Sequence, residues 1–266
     1  MKRFMTLFLT VLAFALPSTT WAGSADTAQK QLPAAQVARF ANTLQQRLAA
    51  DDANVAIVAR VGRDRDILPR GIQYTHVAYW VYSKFTHPDG RSYNGYRVYN
   101  LYQVEGNATT SRLVQDSPAD FFAGAHELDA GVIIPDPRLQ KKILKTISGP
   151  RYAQLHNTEY SVLANPMTTQ FQNCTEHTLD VLISSLYDTG DKARIKANIA
   201  AHFDPQRVRI GGLKRLLAPA ASAALTTSDH GAQIGTATFG SIARFMVDHD
   251  LSDQIYRFTE NGAEAF

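Results

Sequence analysis

One cysteine, Cys174, stands alone in 266 residues, so no intrachain disulfide framework holds this chain together. Charge of one sign is equally scarce. The 27 Lys and Arg against 24 Asp and Glu leave a formal net charge of +3, which gives nucleic acid or an anionic membrane no basic surface to select. With 16 Gly and 11 Pro, neither a collagen-like nor a low-complexity chain fits, and no internal repeat marks a solenoid. No His, Cys and carboxylate spacing of the metal-ligating kind is present, so no metal and no other cofactor is expected. What remains is a folded chain with 45% hydrophobic residues, ample for a core.

The one long apolar run is at the start. Lys2 and Arg3 precede an apolar stretch over residues 4–16, followed by Pro17 and the small-residue exit around Thr20, Ala22 and Gly23. This is the layout of a secretory signal peptide over residues 1–22, with cleavage after Ala22, and the run is shorter than the ~20 residues of a membrane span. The expected organisation is therefore a signal peptide, then a single α+β domain over 23–266, with a core at 32–188 and a helical extension at 189–266. Removing Lys2 and Arg3 leaves 25 cationic against 24 anionic side chains, a nearly neutral exported protein with no further span, periplasmic or secreted. Cys174 is far from the cleavage point, so it is no lipoprotein anchor. In an oxidising compartment a lone cysteine bridges another chain, serves as a thiol for chemistry, or is a small buried hydrophobe.

Local patterns place the elements. Pro33 opens a helix with Val37, Phe40, Ala41, Leu44 and Leu48 at helical spacing. Residues 55–61 read as a strand ended by Gly62, and the charged residues 60–70 read as a loop. Residues 74–85 (YTHVAYWVYSKF) and 95–104 (GYRVYNLYQV) flank the turn sequence HPDG, a β-hairpin. Short helices follow Pro118 and Pro137, the second capped by Asp136. Asn173 or Thr175 caps a helix carrying Leu179, Leu182, Ile183 and Leu186, so Cys174 lies in its first turn.

A helix N-terminus favours a thiolate, and a thiol nucleophile needs a base, for which imidazole is suited at neutral pH. His76 stands in an otherwise apolar strand, where a polar ring needs a reason. His177 shares a helical face with Cys174 but is poorly placed to act from across a cleft. A third group must orient the imidazole. The opposite strand offers Asn100 and Gln103, and a turn centred on residues 87–90 sets position 76 opposite about 101, selecting neither. The Cys174 backbone N–H is the natural oxyanion donor, with Gln172 or Gln170 as side-chain candidates, while Tyr74 and Tyr99 flank the proposed pair.

The segments THVAYWV, RVYNLY and QNCTEHTLDVL, in that order in an exported chain, resemble the circularly permuted branch of the NlpC-type papain-like superfamily, which includes lecithin retinol acyltransferase relatives. There the histidine lies in a hairpin and the cysteine follows at a helix start. The resemblance covers about residues 54–188 and implies Cys174 as nucleophile, His76 as base and Asn100 as its orienting partner, where relatives often have histidine. Val77 and Ala78 stand where relatives frequently place glycine. More narrowly, the chain resembles the bacterial family called domain of unknown function 2145. The expected fold is α+β, a permuted papain-like (NlpC-type) core of a small antiparallel sheet packed on helices, with extra C-terminal helices. The expected function is a thiol-dependent hydrolase or acyltransferase acting on a peptide, cell-wall or acyl substrate. The rival is a non-catalytic module that binds a peptide or lipid in the same cleft.

Overall fold

The computed structural model describes residues 32–209 and 224–266, so the predicted signal peptide at 1–22 lies outside the described residues. The fold is α+β, with seven helices among the described residues and a seven-stranded antiparallel sheet in the order β4-β3-β2-β1-β5-β8-β9. In chain order the sheet comprises β1 (Val55–Val61), β2 (His76–Thr86), β3 (Ser92–Val104), β4 (Asn107–Asp116), β5 (Glu127–Pro135), β8 (Ser252–Thr259) and β9 (Gly262–Ala265). A separate two-stranded ribbon pairs β6 (Gln206–Val208) with β7 (Ile234–Thr236).

Strand β1 is the centre, and all seven of its residues are buried. Alternation divides it between two layers. Val55, Ile57, Ala59 and Val61 face a core shared with α3 (Pro137–Ser148), α5 (Cys174–Tyr187), α6 (Lys192–His202) and α7 (Phe239–Asp248). Ala56 and Val58 face the opposite core, closed by α1 (Ala34–Ala50) and α2 (Pro118–Ala123). Helix α1 covers that face because Val37, Phe40, Ala41, Leu44 and Leu48 form one apolar stripe. The short α4 (Arg151–Gln154) follows α3 and sets Tyr152 against the sheet. Both α2 and α3 begin with proline behind a capping side chain, Ser117 and Asp136.

Helix α5 is buried around nearly its whole circumference. Glu176 and Asp180 are tolerable there because Lys196 of α6 donates to both, at 2.6 and 2.7 Å.

Three expectations need correction. The sheet is large, because residues 107–116 and 127–135 are strands; the apolar stretch before Pro135 is short and lies between stronger helix signals. The C-terminal part is not helical throughout. Residues 252–259 alternate along Ile255, Arg257 and Tyr256, Phe258, and β8 pairs with β5 from Asp129–Thr259 to Pro135–Ser252, extending the main sheet. The strand expected at 55–61 is β1 with the same bounds, so Arg60 lies within it and is buried, and the loop expected over 60–70 begins only after Val61.

One close approach locks α7 onto the sheet. An added Cβ at Gly131 of β5 would come within 2.5 Å of the Phe239 ring. Gly131→Ala is therefore expected to cost about 1–3 kcal/mol in urea unfolding. The double variant with Phe239→Leu should lose less than the sum of the two single losses.

Candidate functional site

The β2–β3 hairpin turns through residues 87–91, with Gly90 at φ +86°, and pairs Thr86 with Ser92. That register is one residue from the expected one. Extended along the strands it sets His76 across from Tyr102, and the two rings stack with centroids 4.8 Å apart. The ladder itself stops at Tyr79–Tyr99. Beyond that pair β2 continues along β1 to His76, and β3 continues along β4, so the sheet opens into a seam.

The seam holds the sequence-predicted residues. In an antiparallel strand, successive N–H groups point to alternate neighbours. Tyr82 N–H donates to Asn54 O on the β1 side, at 2.9 Å, so Val77 directs its N–H toward β3, which has parted. The Cys174 sulfur takes that hydrogen bond instead, from the first residue of α5. Leu101, Tyr160 and Ala224 pack around the sulfur, and the residue is only 4% exposed. Asn173 caps the helix by accepting from Glu176 N–H at 2.9 Å and fastens it by donating to Val162 O at 3.0 Å. Tyr79 of β2 donates to Thr178 O at 2.8 Å, tying the next turn of α5 to the same strand.

Across the seam His76 and Asn100 are joined, Nε2 to Oδ1, at 3.0 Å. The amide has one possible orientation, because Asn100 Nδ2 donates to Asp116 Oδ2 at 3.0 Å, and that oxygen also accepts from Tyr102 OH at 2.8 Å. Oδ1 thus faces the imidazole, Nε2 carries the proton, and Nδ1 holds a lone pair. Nδ1 is buried with no hydrogen-bond partner among the described residues. Phe121 of α2 also packs on the ring, tilted, with centroids 5.4 Å apart.

Arg60 is the neighbour that sequence reasoning missed. It pairs directly with His76 across β1 and β2 and is 1% exposed, with its guanidinium 5.5 Å from the Phe121 ring. Charge alternation around Gly62 hid it; the signal that could have found it is its place at the end of an apolar strand run, on the face of Ala56 and Val58.

These surroundings set the protonation states. Burial first, then the charge of Arg60, push the His76 imidazole well below its usual range, against the Asn100 hydrogen bond. Burial also pushes the Cys174 thiol up, opposed by hydrogen bonds from Val77 and Thr175 and by Arg60. The thiolate expected at the helix N-terminus is therefore outweighed by desolvation, and the resting pair is a thiol and a neutral imidazole. No hydrogen bond joins Cys174 to His76 in this closed arrangement; the sulfur's side-chain partner is Thr175 Oγ1 at 3.7 Å.

The other candidates lie elsewhere or are engaged. Gln172 donates to Asp180 at 2.8 Å and Leu155 O at 3.2 Å, leaving no N–H for an oxyanion. Gln170 donates to Ser228 at 3.1 Å. Gln103 is spent on Ala108 O at 2.6 Å. Tyr74 donates to Asp129 at 2.9 Å in a network with Arg65 and Arg257, and Tyr99 packs edge-on against Tyr152. His177 faces Tyr152 and His156 on the helix-layer side of the sheet. An open cleft of about 490 Å³ lies apart from the seam, lined by His202, Phe203, Pro205, His230 and Ile234 among others. Among the described residues no group of three or more His, Cys, Asp and Glu is arranged to hold a metal ion, and no helix is long and apolar enough to cross a membrane.

The chain matches, over residues 47–246, the family described as "Uncharacterized protein conserved in bacteria (DUF2145)". That span is 200 of its 266 residues and includes every seam residue, and the chain belongs to this family. No curated protein and no solved structure matches it.

Two outcomes follow from the charges around α5. Lys196→Met should cost about 3–5 kcal/mol in chemical unfolding, because Glu176 and Asp180 lose their shared buried cation. Burial and the nearby His156, Lys196 and Lys192 push His177 down to about 3. It is neutral when folded and takes a proton on unfolding below about pH 6.5, so its contribution is full above that pH and is lost as pH falls. The melting temperature of His177→Leu should therefore decline less steeply between pH 7 and 5 than that of the unsubstituted protein.

Proposed function

We propose that this member of the bacterial family is a thiol-dependent hydrolase or acyltransferase, with Cys174 as nucleophile, His76 as proton carrier and Asn100 as the group that orients His76. The observation that supports this reading is the hydrogen-bonded order Asp116, Asn100, His76, which fixes one tautomer and leaves a buried Nδ1 lone pair in the seam that receives the cysteine. A histidine kept only for packing needs no such arrangement, since a backbone carbonyl satisfies a core imidazole.

In the proposed reaction the Cys174 proton passes to His76 Nδ1 as the sulfur bonds to the substrate carbonyl carbon. The resulting oxyanion is held by the Cys174 backbone N–H, one of the donors that a helix start leaves without a helical acceptor. Collapse breaks the bond to the leaving amine or alcohol, which takes the proton from His76. Water or another nucleophile, deprotonated by His76, then attacks the thioester and releases the acyl group, and the proton returns to sulfur. The mechanism asks the imidazole to be neutral before attack, the state its surroundings favour. The apolar run at residues 4–16 behind Lys2 and Arg3 supports export to the periplasm or beyond, where amides of cell-wall peptides are the substrates at hand. The permuted papain-like assignment is part of the same proposal, supported by the order of hairpin histidine and helix-start cysteine.

The test is the pH dependence of iodoacetamide alkylation at Cys174. Burial raises the Cys174 thiol, so ionisation alone gives almost no alkylation below the usual thiol pKa of about 8.5; with His76 as base, alkylation should be faster than that limit wherever the imidazole is neutral. His76→Ala should slow it by about 100-fold at pH 6.5 and leave a profile that follows thiol ionisation alone. Identical profiles for the two proteins would overturn the reading and leave Cys174 as a packing residue.

A further inference from the structure

Two cations are buried to less than a tenth exposure among the described residues, and they are treated very differently. Lys196 is saturated by Glu176 and Asp180. Arg60 has no such partner: its Nε and Nη1 are buried and reach no acceptor among the described residues. The carboxylate nearest in its electrostatic surroundings, Asp116, already accepts from Asn100 and Tyr102. Tyr102 OH and the Phe121 face temper the charge without neutralising it. A guanidinium left in this state costs stability, whereas an apolar residue of similar size would pack here at no such cost. Its position is specific as well. It is the cross-strand neighbour of His76 at the mouth of the seam, within electrostatic reach of Cys174.

We propose that Arg60 is a specificity-determining residue that receives a carboxylate of the substrate, so that the Cys174 site acts on acyl groups carrying a free carboxylate near the scissile carbonyl. The donors left without acceptors would then be satisfied in the complex by the one chemical group that matches a guanidinium in charge and geometry. Peptides with acidic side chains or a free C-terminal carboxylate beside the cleaved bond belong to this class, and neutral acyl esters do not. The inference rests on Cys174 being the nucleophile, and it adds a prediction that the nucleophile alone does not make.

The experiment compares iodoacetate with iodoacetamide. The two reagents are nearly the same size and react alike: sulfur bonds to the methylene carbon and iodide leaves. Burial of Cys174 slows both, so the ratio of their rates cancels access and reports charge recognition. The anionic reagent has no advantage with a free thiolate, and the urea-unfolded chain supplies that reference ratio. In the folded protein the iodoacetate-to-iodoacetamide ratio should exceed the reference by about tenfold or more. Arg60→Met should abolish the excess and Arg60→Lys should keep part of it.

A folded-state ratio equal to the unfolded reference overturns the inference, even if Arg60→Met does not fold. If the ratio is unchanged by Arg60→Met while His76→Ala still removes low-pH alkylation, the carboxylate inference fails and the nucleophile stands. If His76→Ala changes nothing, the reading of the site itself fails. No alkylation of the folded protein by either reagent overturns both.

Discussion

The parting of β2 from β3 beyond Tyr79 and Tyr99 is the constraint on which the site depends. A continued ladder would consume the Val77 N–H in a strand hydrogen bond and bring Leu101 against Val77, leaving no room for a helix start. With the strands separated, the Val77 N–H becomes a donor for the Cys174 sulfur, and side chains take over the bridging that the backbones gave up. The His76 to Asn100 hydrogen bond and the His76–Tyr102 stack are that bridge. Each strand stays anchored on its outer side, β2 by β1 and β3 by β4, so the opening is confined to one end of one interface. A sheet with only two or three strands has no such outer support, which gives the large sheet a role in the site as well as in the core.

Holding a polar cluster in a closed interior has electrostatic consequences. Every seam residue that titrates is pushed toward its uncharged form: the imidazole down, the thiol up and the Asp116 carboxyl up, each chiefly by burial. Arg60 is the exception, since burial lowers a guanidinium from so high a value that it stays charged. The rest of the helix layer resolves the same problem by pairing, with Lys196 between Glu176 and Asp180. The contrast between a satisfied buried cation on α6 and an unsatisfied one in β1 separates a structural charge from one held ready for a ligand.

Much of this was legible in the sequence because the relevant signals are local. Cys174 at a helix start follows from the apolar spacing of Leu179, Leu182 and Leu186, and the strand with His76 follows from its aromatic and β-branched neighbours. The choice of Asn100 over Gln103 did not follow from register. It came from resemblance, and the structure joins Asn100 to His76 by a diagonal contact, two residues from the position directly opposite. Arg60 fell inside the strand read at 55–61, but its role was illegible because the charge alternation that begins with it resembles a solvated loop, and only pairing with His76 across β1 and β2 reveals its face. β8 and β9 were missed for a related reason. β9 is only four residues of Gly, Ala and Glu, and β8's partner, β5, lies more than a hundred residues earlier in the chain.

Arg60 acts on the two proposed reacting groups with opposite sign, which gives the carboxylate inference a mechanistic side. Its charge disfavours an imidazolium at His76 and favours an anion at Cys174. Attack moves a proton from sulfur to imidazole and places negative charge on the substrate oxygen. With a neutral substrate, Arg60 opposes the first movement throughout. A carboxylate bound to the guanidinium offsets that charge, so the imidazolium is less disfavoured when substrate is in place. Neutral His76 and protonated Cys174 are therefore the stable pair in the seam, and the substrate's own charge brings the base toward its working range. Recognition and activation then share one residue, and a compound lacking the carboxylate is disadvantaged twice, in binding and in proton transfer.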